Sequence, residues 1–146
     1  EARRQNRHPH VSFELLDGPR LQVKSVSKVD VVFSYEVLYL LPPELVYSYF
    51  RDAHALLQPD GVFVFQLNLH PMTWKTHAAR VVRNVLHRVG VRHWHGWPTA
   101  PEFRRYEYRQ ADVCRQLKSA GFQVVRVCGD SVKQTWFVAR PDRQSH

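Results

Sequence analysis

The sequence predicts an α/β domain whose parallel strands are followed, at the carboxyl end, by an antiparallel hairpin. Two apolar runs, at 29–34 and 62–67, flank a segment with helical periodicity. A strand, a helix and a strand at this spacing form a right-handed crossover between parallel strands. Two further apolar runs, at 122–128 and 134–140, are separated only by GDSVK, which predicts an antiparallel pair.

The first half of the chain contains three predicted strands and one helix. Alternation of apolar side chains at 11–16 predicts a strand that ends at the turn sequence Asp17-Gly18-Pro19. The run at 29–34 is so apolar that it predicts a strand in the middle of a parallel sheet, covered on both faces. A helix is predicted between Pro42-Pro43 and a turn at Pro59-Asp60-Gly61, because proline starts helices and both proline and glycine stop them.

Residues 68–110, which we call the insert, differ in composition from the rest. The insert contains eight lysines and arginines against two glutamates, with three of the four tryptophans and five of the nine histidines. Its periodicity predicts an amphipathic helix at 74–89 and an irregular loop at 90–103. A shorter helix is predicted after the insert, at 111–120, ending at Gly121.

Three interpretations of the insert remain open at this point. It forms a lid over an active site, or it packs as a helix with a solvated basic face, or it binds nucleic acid through interleaved aromatic and basic side chains. No metal site is predicted, because His93-Trp94-His95 has neither helical spacing nor a third ligand.

Composition limits the class of protein. A chain of 146 residues with 44% hydrophobic and 12% aromatic residues is typical of one globular domain, and its formal net charge is +8. It contains no apolar stretch near the ~20 residues that a membrane span needs, and no apolar signal-peptide core. Two cysteines are too few for a disulfide framework. We therefore expect a cytoplasmic protein without a membrane partner, and leave its oligomeric state open.

Polar residues follow each of the three predicted parallel strands. They are Asp17-Gly18, Ser34-Tyr35-Glu36 and Asn68-Leu69-His70. Ligands of open parallel sheets bind beyond the carboxyl ends of the strands. We expect the three clusters to lie along one edge of the sheet.

Four segments carry a resemblance to a known family. VSFELLDGPRL, VDVVFSYEVLYLLPPE, AHALLQPDGVFVFQ and LKSAGFQVVRV resemble, in order and spacing, the later motifs of class I S-adenosylmethionine-dependent methyltransferases of the type 11 kind. The resemblance covers most of the chain outside the insert. It implies a Rossmann-like methyltransferase sheet, S-adenosylmethionine as the cofactor, and methyl transfer to a small organic acceptor.

The resemblance also implies roles for individual residues. Asp17 would accept a hydrogen bond from the adenine amino group, with Leu16 and Gly18 beside the ring. Ser34 and Tyr35 would lie near the methionine part of the cofactor. Glu36 and Tyr39 would begin the substrate side, and Trp74 of the insert is a further substrate-binding candidate. The candidates for a catalytic base are His70 and, less favoured, Tyr39 and Tyr106. Turn capping by Asp17 and helix capping by His70 are the alternatives.

Two parts of the family pattern are absent. The six glycines form no G-x-G loop, and no strand that ends in a ribose-binding acid precedes residue 11. We therefore expect an N-terminally truncated domain: a single partial methyltransferase domain over 1–146, lacking the cofactor-loop segment and inactive as a fragment. The alternative is a non-catalytic, methyltransferase-like binding module that contacts RNA through the basic insert.

Overall fold

The structure is a computed structural model that describes residues 8–15, 18, 20–21, 23, 27–69, 73–100, 106, 108–130 and 134–142. Its helices are α1 (Pro43–Leu56), α2 (Trp74–Arg88) and α3 (Gln110–Ser119), and a 3-10 turn spans Leu38–Leu40. Its strands are β1 (Val29–Ser34), β2 (Leu57–Leu67), β3 (His93–Trp94), β4 (Trp97–Pro98), β5 (Phe122–Asp130) and β6 (Gln134–Pro141).

The main sheet has the strand order β1-β2-β6-β5. β1 and β2 are parallel and are joined by α1, so the predicted crossover is confirmed. β6 pairs antiparallel with both β2 and β5, which confirms the closing hairpin. The sheet is therefore mixed, with parallel strands at one side and an antiparallel hairpin at the other.

One face of this sheet forms the core. Side chains alternate across a strand, so Phe63, Phe65 and Leu67 of β2 share a face, and all three are buried. Phe137 of β6 stacks on Phe65 with ring centroids 5.1 Å apart. Helices α1 and α3 cover the same face through the buried residues Val46, Phe50, Ala53, Val113 and Leu117.

In the sheet that the described residues form, β1 is an edge strand and does not have the predicted place in the middle. Val31 and Phe33 are 57% and 62% exposed, on the face that α1 and α3 do not cover. Within the described residues, β1 pairs only with β2. The apolar composition correctly indicated a strand, but it could not indicate how many neighbours the strand has.

The predicted strand at 11–16 is also wrong where the structure describes it. Residues 11–15 have no strand hydrogen bonding, and Leu15 is 86% exposed. Leu16 lies outside the described residues. A strand requires a neighbour to pair its backbone groups, and the four-stranded sheet provides none for this segment.

Pro59-Asp60-Gly61 belongs to β2 and does not form the predicted turn before it. Val29 pairs with Leu57 and Val31 with Val62, so β2 contains extra residues that bulge from the ladder. A Cβ on Gly61 would lie 2.7 Å from Leu57 Cδ2 and 3.1 Å from the Asp30 carbonyl oxygen. Glycine is needed here because neighbouring backbone approaches closely.

The insert contains the predicted helix and an unpredicted hairpin. α2 starts after Thr73, whose side chain accepts a hydrogen bond from the Thr76 N–H. The loop at 90–103 is not wholly irregular, because β3 and β4 pair across His95 and Gly96. Both turn residues have positive φ, 47° and 77°, as two-residue hairpin turns require.

Candidate functional site

The carboxyl ends of β1 and β2 lie side by side, as the sequence predicted for their polar clusters. Ser34, the last residue of β1, pairs with Phe65, two residues before β2 ends at Leu67. β6 runs in the opposite direction and starts at the same edge, where Thr135 pairs with Leu67. β5 also ends there, since Asp130 pairs with Gln134, so four strand ends meet at this edge.

The chain turns sharply at Glu36, just beyond β1. Glu36 has φ of 54°, a left-handed conformation that is uncommon for residues other than glycine. Its backbone N–H donates to Gln66 Oε1 at 3.3 Å. Gln66 is only 2% exposed, so a buried side chain of β2 holds the turn. Gln66 was not predicted as a site residue, although it is the one polar residue of the predicted strand 62–67.

An aromatic cluster lies beside this turn. The Tyr35 ring stacks on Trp136 with centroids 5.6 Å apart and an interplanar angle of 2°. Phe33 also stacks on Trp136, at 5.9 Å. Trp136 pairs with Gln66 across β2 and β6, on the face opposite the core. Trp136 was missed too, because only the register of the hairpin brings it to the end of β1.

The Tyr35 hydroxyl and the Glu36 carboxylate interact. The negative charge of Glu36, partial burial and a hydrogen bond to Glu36 raise the pKa of Tyr35 above its ordinary value, with a smaller effect from Tyr39. Tyr35 is therefore a neutral hydrogen-bond donor over the physiological range. We call Tyr35, Glu36, Tyr39, Gln66 and Trp136 the tip cluster.

The second half of the insert is tied to this edge. The Tyr106 N–H donates to the Tyr39 carbonyl oxygen at 3.1 Å. The Tyr108 hydroxyl donates to the Leu41 carbonyl oxygen at 2.5 Å. Tyr108 is buried, and burial raises its pKa, so it acts as a structural anchor. Tyr39 and Tyr106, two of the candidate bases, are thus brought together.

A clamp holds the loop that follows Gly18. The Arg20 guanidinium donates to both carboxylate oxygens of Asp52 in α1, with Nε at 3.1 and 3.0 Å. The Leu21 N–H donates to the same carboxylate at 3.0 Å. Burial raises the pKa of Asp52, but the hydrogen bonds and charges of these donors lower it by a larger amount. The pKa of Asp52 therefore lies below its usual value. The clamp was not predicted, since no local pattern links residues 20 and 52.

The remaining candidates are separate or outside the described residues. Gly18 has φ of 103°, and a Cβ built there would have no atom within 4 Å. No other part of the described structure therefore packs closely against Gly18. Trp74 is 75% exposed at the start of α2, with the Lys75 ammonium 5.9 Å from its ring centroid. Leu16, Asp17 and His70 lie outside the described residues.

The described residues include neither a membrane-spanning helix nor a cluster of metal ligands. No helix there combines the length and the apolar character needed to cross a bilayer. Nor do three or more histidine, cysteine, aspartate or glutamate residues of this part of the chain cluster as metal ligands.

The fold of this chain is similar to that of several solved structures. The mitomycin 7-O-methyltransferase MmcR aligns over 80% of this chain at a TM-score of 0.52 and 16% identity. The magnesium protoporphyrin IX methyltransferase of Synechocystis PCC 6803, with bound SAH, aligns over 82% at 0.50 and 16%. The chain has the class I methyltransferase fold.

The methyltransferase fold extends further in these structures. The chain spans 31% and 48% of the two methyltransferases. A structure described as a pericyclic reaction enzyme also aligns, over 85% of this chain and 29% of its own, at a TM-score of 0.55 and 12% identity. Comparison with protein-family models and with curated protein sequences found no match.

Proposed function

We propose that this chain belongs to an enzyme that transfers a methyl group from S-adenosylmethionine to a small organic acceptor. The supporting observation is the tip cluster at the carboxyl ends of β1 and β2, in a chain with the class I methyltransferase fold. This edge is where open α/β sheets bind their ligands.

The residues we assign to the cofactor are Leu16, Asp17, Gly18, Ser34 and Tyr35. The aromatic faces of Tyr35 and Trp136 suit a positively charged sulfonium, because ring faces attract cations. When bound, the cofactor would supply an electrophilic methyl group. These residues would contact the cofactor from the ends of the strands. The sequence has no G-x-G loop to hold the amino-acid end of the cofactor.

The chain's own residues would position the acceptor and remove its proton where necessary. Methyl transfer requires an acceptor atom held close to the methyl carbon in a site that excludes water. Glu36, set by its bond to Gln66, and Trp74 are proposed on the acceptor side. A base is needed only if the acceptor loses a proton, and we assign this role to His70, with Tyr39 and Tyr106 as weaker candidates.

The insert would act as a lid within the single partial domain. Two anchors support this proposal, the Tyr106 bond to Tyr39 and the Tyr108 bond to Leu41. They fix the carboxyl end of the insert at the edge that carries the tip cluster. The sequence between β2 and these anchors can then vary without disturbing the sheet, as is usual for segments that carry substrate specificity.

Binding of S-adenosylhomocysteine by isothermal titration calorimetry tests the proposal. Asp17→Ala should weaken binding by about 1–3 kcal/mol, roughly 5- to 150-fold, because the adenine amino donor would lose its acceptor. Asp60→Ala, a change at an exposed acid in β2, is the matched control and should leave affinity unchanged. Binding by the wild-type chain should be weak because the sequence has no G-x-G loop, and absence of binding up to the solubility limit of the ligand would overturn the cofactor assignment. Equal affinity of Asp17→Ala and the wild type would remove Asp17 from the site.

The second candidate is a non-catalytic binding module that contacts RNA through the insert. The missing G-x-G loop favours it, together with the exposed cations Arg88 and Arg92. RNA affinity measured over a series of salt concentrations decides, because phosphate contacts give a steep salt dependence. No binding, or binding indifferent to salt, excludes this function.

A further inference from the structure

Helix α2 exposes its apolar face to solvent. None of its fifteen residues is buried, although the helix is strongly amphipathic. Trp74, Val81 and Val85 are 75%, 61% and 54% exposed. Val82 in the helix and Val89 just beyond it extend the same surface. We call Trp74, Val81, Val82, Val85 and Val89 the valine face.

The polar side of α2, by contrast, is turned toward its own segment. The half-buried residues of the helix are Ala79, Arg80, Arg83, Asn84, Leu86 and His87. His87 Nδ1 lies 3.4 Å from Thr99 Oγ1, and the Val91 N–H donates to the Leu86 carbonyl oxygen at 2.9 Å. These contacts fold the β3–β4 hairpin against the helix and hold the valine face outward.

Cations flank the valine face, and acids are absent from the sequence around it. At 3.6 residues per turn, Lys75 lies at one edge of the face, beside Val82, and Arg88 at the other, beside Val81. Both cations are exposed. Between residues 61 and 101 the sequence has no aspartate or glutamate.

We propose that α2 binds the surface of an anionic lipid bilayer, with the valine face inserted among the acyl chains and Lys75 and Arg88 at the head groups. An amphipathic helix with basic edges and a tryptophan binds a membrane in this way, lying in the interface plane. Each basic side chain near an anionic bilayer adds electrostatic attraction.

Other partners match only half of this surface. A second copy of the chain, paired through the valine face, would bring Lys75 and Arg88 against the same cations with no nearby acid to compensate. RNA would match the cations and leave the valines without an apolar partner. The anionic bilayer matches both the apolar face and the cations. This proposal replaces the expectation, made from composition, that the protein has no membrane partner.

Flotation with lipid vesicles tests the proposal. Wild-type chain should bind phosphatidylcholine vesicles that contain phosphatidylglycerol, and should bind pure phosphatidylcholine vesicles about tenfold or more weakly. The double variant Val81→Ser with Val85→Ser should reduce binding about tenfold, because two valines leave the acyl region. Val125→Ser is the matched control, since Val125 is 56% exposed in β5, away from the insert, and should not change binding.

Removal of charge provides an independent arm. Lys75→Gln with Arg88→Gln should weaken binding to the anionic vesicles strongly and binding to neutral vesicles little. Circular dichroism of each variant checks that α2 is retained. No vesicle binding by the wild-type chain, equal loss in the Val125→Ser control, or equal binding to both lipid compositions would overturn the proposal. So would a dimer, detected by analytical ultracentrifugation, that the valine substitutions dissociate.

Discussion

Replacing Glu36 by glycine should give a more stable chain than replacing it by alanine. The φ of 54° places Glu36 in the left-handed region. An L residue there costs about 1–2 kcal/mol, because its Cβ approaches the following carbonyl oxygen, and glycine avoids this cost. Glycine in turn loses about 0.5–1 kcal/mol more backbone entropy on folding. The free energy of unfolding of E36G should therefore exceed that of E36A by about 0.5–1 kcal/mol.

Urea unfolding followed by tryptophan fluorescence measures this difference. Both variants lack the carboxylate, so the lost interaction with Tyr35 cancels in the comparison. The slope against urea should be equal for the two variants, and the melting temperatures should differ by about 1–4 °C. Equal stability, or a more stable E36A, would refute the left-handed turn at the end of β1.

A matched pair at Glu44 provides the control. Glu44 is exposed in the first turn of α1, where the backbone is helical. Glycine is less favourable than alanine in a helix by about 1 kcal/mol. The sign of the difference between E44G and E44A should thus be the reverse of that at position 36.

Three further predictions concern the clamp, the bulge in β2 and the tip cluster. Asp52→Asn should lower the free energy of unfolding by about 1–2 kcal/mol at neutral pH, a modest value because Arg20 is half exposed. The native pKa of Asp52 is depressed, so this stabilisation is present above the ordinary carboxyl pKa and is lost as pH falls through the native value. Wild type and variant should therefore converge in acid during unfolding measured across pH, and a constant gap would contradict the clamp. Gly61→Ala should destabilise the chain by about 1–3 kcal/mol in thermal unfolding, since its Cβ would overlap Leu57 Cδ2 and press against the backbone oxygens of Gln58 and Asp30. An unchanged melting temperature would show that the bulge is absent. Glu36→Gln should lower the pKa of Tyr35, measured by spectrophotometric titration of the tyrosines. The Tyr35→Phe variant shows which part of the titration belongs to Tyr35. An unchanged pKa in Glu36→Gln would show that the two side chains do not interact.

The predictions from sequence succeeded where one element carries its own signal. β1 has the bounds of its apolar run, α1 starts at the predicted pair Pro42-Pro43, and α2 follows its helical periodicity closely. The parallel crossover and the closing hairpin follow from connection lengths, which are also local. These signals were sufficient for the fold class.

The features that the sequence did not predict depend on contacts between distant residues. Gln66 and Trp136 reach the end of β1 only through the register of β2 with β6. The Arg20 clamp links a loop to the last turns of α1. The outward orientation of α2 could not be predicted either, because amphipathicity identifies an apolar face without indicating what covers it.

The exposed side of β1 has a practical consequence for handling the protein. Within the described sheet, its outer backbone groups pair with no other strand, and Val31 and Phe33 project beside them. Such a border can recruit the same strand of another molecule and seed aggregates. Repulsion from the formal charge of +8 opposes this association at low ionic strength and is screened by added salt. Turbidity that rises with both salt and protein concentration is the expected sign, and a lysine in place of Val31 should suppress it.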